Sequence, residues 1–215
     1  MRDIARALET WMREGYEQIG EVRIRALETG FELRHYADAG HPVEGLRRVR
    51  PEDVRDLVRL DAHGKFRPLK TVPNLARGWI LVVPDVGALR RMLDQFYPAM
   101  VGILVSQQQG TLEPVSLRET LERQTGMYAV TRRISDDDAD RLAGSFCESG
   151  AGCLKTILWQ IRAGRKLACL PPGKFDLSEN QTGDDARALP MLCHEACNFF
   201  VSEAREWVRQ QRATE

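Results

Sequence analysis

Cys147 and Cys153 flank the stretch ESGAG, and Cys193 and Cys197 flank HEA in LCHEACNFF. Two short thiol pairs of this kind can supply the corners of one metal site. Cys193 and Cys197 open an expected helix, and their i, i+4 spacing would place both thiols on one face with Cβ atoms about 5–6 Å apart. Gly150 and Gly152 let the first loop close around a ligand, and its backbone N–H groups could donate to inorganic or thiolate sulfur. Both pairs adjoin predicted helix N-termini, whose partial positive charge favours a thiolate. Iron–sulfur ligation and tetrahedral zinc both fit these residue types, zinc being held by four cysteines or by three with His194. Structural zinc takes pairs with about two to four residues between the ligands, which Cys193 and Cys197 satisfy, whereas Cys147 and Cys153 are wide for it. A larger cluster tolerates the wider spacing, so spacing alone leaves both open. A lone cysteine is usually buried packing, the preferred reading for Cys169 in KLACLPPG. The other four stand in small or polar surroundings that give no reason to bury a thiol.

The elements that must position these residues change character along the chain. Residues 3–14 carry Ile4, Leu8, Trp11 and Met12 at helical spacing, and GEVRIRAL and GFELRHYAD read as strands with a turn at Gly30. RPEDVRDLVRL predicts a short helix, and DAHGKFRPL and GWILVVPD predict extended segments separated by the turn material of TVPNLARG. From Asp85 the period becomes helical, with a break at Tyr97-Pro98 because proline disfavours a helical residue before it. Ser116 with Glu119 forms a capping box, and Ser135 precedes the acidic first turn Asp136–Asp138. A helix is expected over about Cys153–Arg162, an irregular stretch from Gly164 to Pro190, and a last helix to about Arg212. The pattern predicts an α+β fold: a small α+β domain over residues 1–84 and a mainly helical domain over 85–215.

The 215 residues are 43% hydrophobic, enough for a sizeable core, and 31 Lys and Arg balance 31 Asp and Glu. With the two signs interleaved there is no long-range field to draw in a polyanion, so no nucleic-acid partner is expected. No apolar run approaches the roughly 18–20 residues of a membrane span, and MRDIARALETWMREG is too charged for a secretory signal. No membrane association and a cytoplasmic location are expected, where thiols stay reduced and cysteines serve metals or packing rather than disulfides.

Other chemistry-bearing residues have simpler explanations. Asp136–Asp138 suit a helix first turn. Adjacent Cys193 and His194 would point about 100° apart on a helix and form no dyad. His35, His41 and His63 are scattered over strands and loops. Arg123, Gln124 and Tyr128, around a helix-ending glycine, fit either capping and packing or a role beside the metal or a partner surface.

The strings FRPLKTVPNLARGW, YPA at 97–99, ERQTGMY at 122–128, C-x5-C followed by LK, and the late C-x3-C resemble the region appended to sirohydrochlorin cobaltochelatase-like proteins of the Deinococcus and haloarchaeal kind. The resemblance covers most of the chain and implies a stabilising domain followed by a 4Fe-4S-binding domain. It implies Cys147, Cys153, Cys193 and Cys197 as cluster ligands, with no counterpart for Cys169. The 215 residues leave no room for chelatase domains, so no catalytic residue and no chelatase activity is carried over. The resulting expectation is a single-electron-transfer or redox-sensing module linked to tetrapyrrole metabolism, with a redox partner protein or a chelatase-like protein. The alternative is a zinc-stabilised interaction module without redox function.

Overall fold

The computed structural model describes residues 2–149, 152–161 and 187–213. They form two compact units: one of residues up to Gly110 together with 187–191, the other of the described residues in 111–161 and 192–213.

The first unit holds α1 (Arg2–Arg13), β1 (Tyr16–Ile19), β2 (Val22–Ala26), β3 (Phe31–His35), β4 (Arg47–Val49), α2 (Val54–Arg59), β5 (Trp79–Val83), α3 (Val86–Phe96), α4 (Met100–Gln108) and β7 (Arg187–Leu189). The expected turn at Gly30 joins β2 to β3: Gly30 has φ +94°, and an added Cβ would lie 2.1 Å from the Val83 carbonyl oxygen. The six strands form a mixed sheet in the order β4-β5-β3-β2-β1-β7, with β4–β5 and β1–β7 parallel and the other pairs antiparallel. Alternation sorts the side chains by face. The register Ile24–Leu33–Leu81–Val49 is buried and apolar, whereas the adjacent register Arg23–Arg34–Ile80–Arg48 is largely charged.

A domain boundary at Asp85 does not describe this arrangement. The change to helical period there marks α3 and α4 folding back onto α1 within the same unit, where Leu89, Leu93, Phe96, Met100, Val101 and Leu104 are buried. The break at Tyr97-Pro98 is present, and Ala99 enters the left-handed region at φ 62° before α4 starts. The short strands β1, β4 and β7 were not read from the sequence. β7 lies inside the stretch expected to be irregular, and it becomes a strand because β1 offers it a parallel partner.

Two of the strings behind the family resemblance meet in a buried polar network. The Tyr97 hydroxyl accepts a hydrogen bond from the Glu21 N–H at 2.7 Å, and the Glu21 carboxylate accepts from the Leu75 N–H at 3.1 Å. Arg67, from FRPL, lies 3.3 Å from Glu21 and donates to the Asn74 side chain at 2.8 Å and to the carbonyls of Lys70 and Val72 at 2.8 and 2.9 Å. One buried guanidinium thus orders the whole FRPLKTVPN loop, giving its carbonyls a donor they would otherwise lack.

Candidate metal centre

The second unit is built from α5 (Leu117–Glu122), a 3-10 helix (Gly126–Arg133), α6 (Asp136–Phe146), the short parallel strands β6 (Thr156–Ile157) and β8 (Leu192–Cys193), and α7 (Asn198–Ala213). The hydroxyls of Ser116 and Ser135 each accept at 3.1 Å from the backbone N–H three residues on, as the capping signals predicted. Asp136–Asp138 are the first turn of α6, and Asp136 is paired with Arg118. Inside lie Leu121, Ile134, Ala143, Trp159, Phe200 and Val201, and against this core pack the half-buried Cys147, Cys193 and Cys197.

Three of the four paired cysteines occupy positions that differ from the expected ones. Cys147 caps the C-terminal end of α6, its N–H donating to the Ala143 carbonyl at 2.7 Å, rather than adjoining the start of a following helix in the chain. Cys153 lies in the loop before β6 rather than opening a helix: β-branched Thr156 and Ile157 pair with Leu192 and Cys193 instead. Cys193 ends β8 and shares no helix face with Cys197. The Cys193 carbonyl accepts from the Leu158 N–H at 2.8 Å, which fixes this strand against the β6 segment. Cys197 keeps the predicted setting: it immediately precedes α7, and its sulfur accepts from the Phe200 N–H at 3.5 Å.

Gly152 allows the first loop to close. An added Cβ there would lie 2.7 Å from the Phe146 carbonyl oxygen and 2.9 Å from that of Ser149. Phe146 in turn stacks on Phe199 with ring centroids 4.7 Å apart, joining the end of α6 to the start of α7 beside Cys147 and Cys197. Gly150 and Cys169 lie outside the described residues.

Burial pushes the Cys147 thiol well above its ordinary pKa, and Cys153, Cys193 and Cys197 push it further. Those three sulfurs are therefore near enough to Cys147 to act on its ionisation. Cys193 is also raised, first by burial and further by Cys197 and Cys153, while a hydrogen bond from Trp159 and the charge of Lys155 act the other way. Burial thus opposes the thiolate at Cys147 and Cys193; bound iron would supply the compensating charge and displace their protons. Tetrahedral zinc would need sulfurs about 3.8 Å apart, from a Zn–S bond of about 2.3 Å. Among the described residues no three His, Cys, Asp or Glu side chains are grouped to hold a single metal ion.

Other predicted residues have structural partners. Arg123 pairs with Glu195 at 2.5 Å, so the acid between Cys193 and Cys197 carries a counter-charge. Gln124 donates to the Thr120 carbonyl at 2.8 Å and accepts on its own carbonyl from Arg132 at 2.7 Å; Arg205 lies 5.4 Å over the Tyr128 ring. The His194 carbonyl accepts from the Val115 N–H at 2.9 Å. In the first unit the His35 ring accepts from the Ala37 N–H, His41 contacts Asp38, and the His63 N–H donates to Asp61. Trp159, whose indole meets Cys193, was missed by sequence reasoning, since nothing local marks a tryptophan as the neighbour of a cysteine 34 positions away.

Two family models account for nearly the whole chain. Residues 4–108 match the DR2241 stabilising domain and residues 109–206 match the 4Fe-4S iron-sulfur cluster binding domain. The chain thus joins a DR2241-type stabilising domain to a 4Fe-4S cluster-binding domain, as the motif resemblance implied, and zinc is not needed to explain its cysteines. Among solved structures it is similar to DR2241 from Deinococcus radiodurans, described as a multi-domain protein with structural similarity to chelatases and two additional novel domains. The TM-score is 0.76 at 29% identity, over 97% of this chain and 41% of that one. The chain therefore spans less than half the length of that relative. No protein with a curated description matches it. No helix among the described residues is long and apolar enough to cross a membrane.

Proposed function

We propose that Cys147, Cys153, Cys193 and Cys197 are the ligands of the 4Fe-4S cluster, held in a mainly helical frame. What supports the assignment is that Cys147, Cys193 and Cys197 pack against one apolar core, with Cys153 near enough to act on the Cys147 thiol, inside the segment matched by the cluster-binding family. When bound, such a cluster supplies reversible one-electron chemistry. Four thiolates leave no iron position open for substrate, so the role is single-electron transfer or redox sensing rather than catalysis at iron. Burial by Phe146 and Phe200 disfavours adding an electron to an anionic centre, which favours a low potential; Lys155 and the Arg123–Glu195 pairing moderate it.

The physiological setting we propose is cytoplasmic tetrapyrrole metabolism, with a redox protein or a chelatase-like protein as partner. Support comes from the chelatase similarity described for DR2241 and from thiols that require a reducing compartment. Anaerobic reconstitution of single serine variants tests the ligand set through iron, acid-labile sulfide and visible absorption. Each of the four variants is expected to lose the chromophore or most of its iron, while Cys169→Ser keeps both. Full cluster content in Cys147→Ser, or its loss in Cys169→Ser, would overturn the assignment.

A further inference from the structure

Trp159 places a polar hydrogen on a proposed cluster ligand. It is 1% exposed, and its Nε1–H donates to Cys193 Sγ at 3.3 Å. The indole is fixed from two sides: its ring meets Phe200 edge-on at 5.4 Å, and the preceding residue is tied to Cys193 by the Leu158 N–H to Cys193 carbonyl bond at 2.8 Å. Ring and sulfur are thus held in register by the same β6–β8 ladder, with Ile157 opposite Cys193.

The sulfur's other contact is of a different kind. The Cys193 thiol lies 3.2 Å from the Glu195 carbonyl, to which the sulfur can donate only while it is S–H. Ligation to iron removes that proton, so this contact cannot survive as a hydrogen bond. The indole N–H has the opposite dependence: it is a donor only, and its bond strengthens as sulfur gains negative charge. We infer that Trp159 is a tuning residue of the metal centre, whose N–H, held against Cys193 Sγ, raises the reduction potential of the cluster. This rests on Cys193 being a ligand. Reduction adds one electron to the cluster and places more negative charge on its sulfurs, so a donor aimed at one of them stabilises the reduced form more than the oxidised form. It opposes the burial that lowers the potential, and it does so without adding a charge to the core.

The experiment compares wild-type protein with Trp159→Phe and Cys193→Ser after anaerobic reconstitution with iron and sulfide. Iron content and a redox titration followed by electron paramagnetic resonance are the readouts. Trp159→Phe is expected to bind the same iron as wild type but to show a lower midpoint, the reduced-to-oxidised ratio at fixed potential falling by up to about fivefold, the worth of one hydrogen bond. Equal iron with an unchanged midpoint overturns the inference while leaving the ligand assignment intact. Undiminished cluster content in Cys193→Ser overturns the ligand assignment and the inference with it. Should Trp159→Phe fail to fold, wild-type protein labelled with 15N-tryptophan decides. Hyperfine coupling of an indole nitrogen to the reduced cluster supports the inference, and its absence overturns it.

Discussion

Gly152→Ala tests whether the Cys147–Cys153 loop must close as tightly as the structure shows. The new Cβ would stand 2.7 Å from the Phe146 carbonyl oxygen, and ordinary contact begins at 3.4 Å, so the loop or the end of α6 must yield by 3.4 − 2.7 = 0.7 Å. Both atoms that obstruct most, the carbonyls of Phe146 and Ser149, belong to backbone and cannot rotate away as a long side chain could. Metal and catalytic sites tolerate displacements of only about 0.5 Å. Overpacking of this size costs about 1–3 kcal/mol. Charged to cluster binding, that cost weakens retention roughly 5- to 150-fold. The assay is the rate of iron loss to a chelator from reconstituted protein under anaerobic conditions. Gly144→Ala is the control: it lies in α6 with nothing within 4 Å of the added Cβ, and it is expected to retain the cluster and gain about 0.5–1 kcal/mol of helix stability. Equal chelator resistance in Gly152→Ala and wild type would refute the reasoning.

Two predictions concern the stabilising domain. Arg67→Met leaves the buried Glu21 carboxylate without its guanidinium and removes the donor to the Lys70 and Val72 carbonyls, so unfolding in urea is expected to show a loss of about 3–5 kcal/mol; a loss below about 1 kcal/mol would show the network to be dispensable. Glu32 is pulled upward by burial, but hydrogen bonds and charges from Arg34 and Arg25 outweigh this and hold its pKa below the ordinary carboxylate value. A depressed folded pKa means that its contribution to stability is present above the unfolded value, about pH 4.3, and is lost as pH falls through the folded value. Melting temperatures of Glu32→Gln and wild type should therefore differ most at neutral pH and converge in acid; parallel curves would contradict this.

What was legible in the sequence was legible because its cause is local. Caps at Ser116 and Ser135 need only an oxygen and an N–H three residues away, and the Gly30 turn and the Tyr97-Pro98 break follow from backbone sterics at single positions. The α1 helix and the β2–β3 hairpin were readable from periodicity. That the chain carries a 4Fe-4S-binding segment was readable from the paired cysteines and their spacing together with family resemblance.

Tertiary structure decided whatever depends on a partner distant in the chain. Thr156 and Ile157 lie in a stretch whose pattern suited a helix, and they became a strand because Leu192 and Cys193 supply backbone partners no local rule can foresee. The same pairing took Cys193 off the helix that Cys197 caps, so the two thiols stand at a strand end and a helix start rather than along one helix face. Asp85 looked like a boundary because periodicity changes there, yet burial of α3 and α4 against α1 kept them in the first unit. Arg67 and Trp159 carry no local mark of their roles: each acquires them from atoms, Glu21 in one case and Cys193 Sγ in the other, that only the folded chain brings within hydrogen-bonding distance.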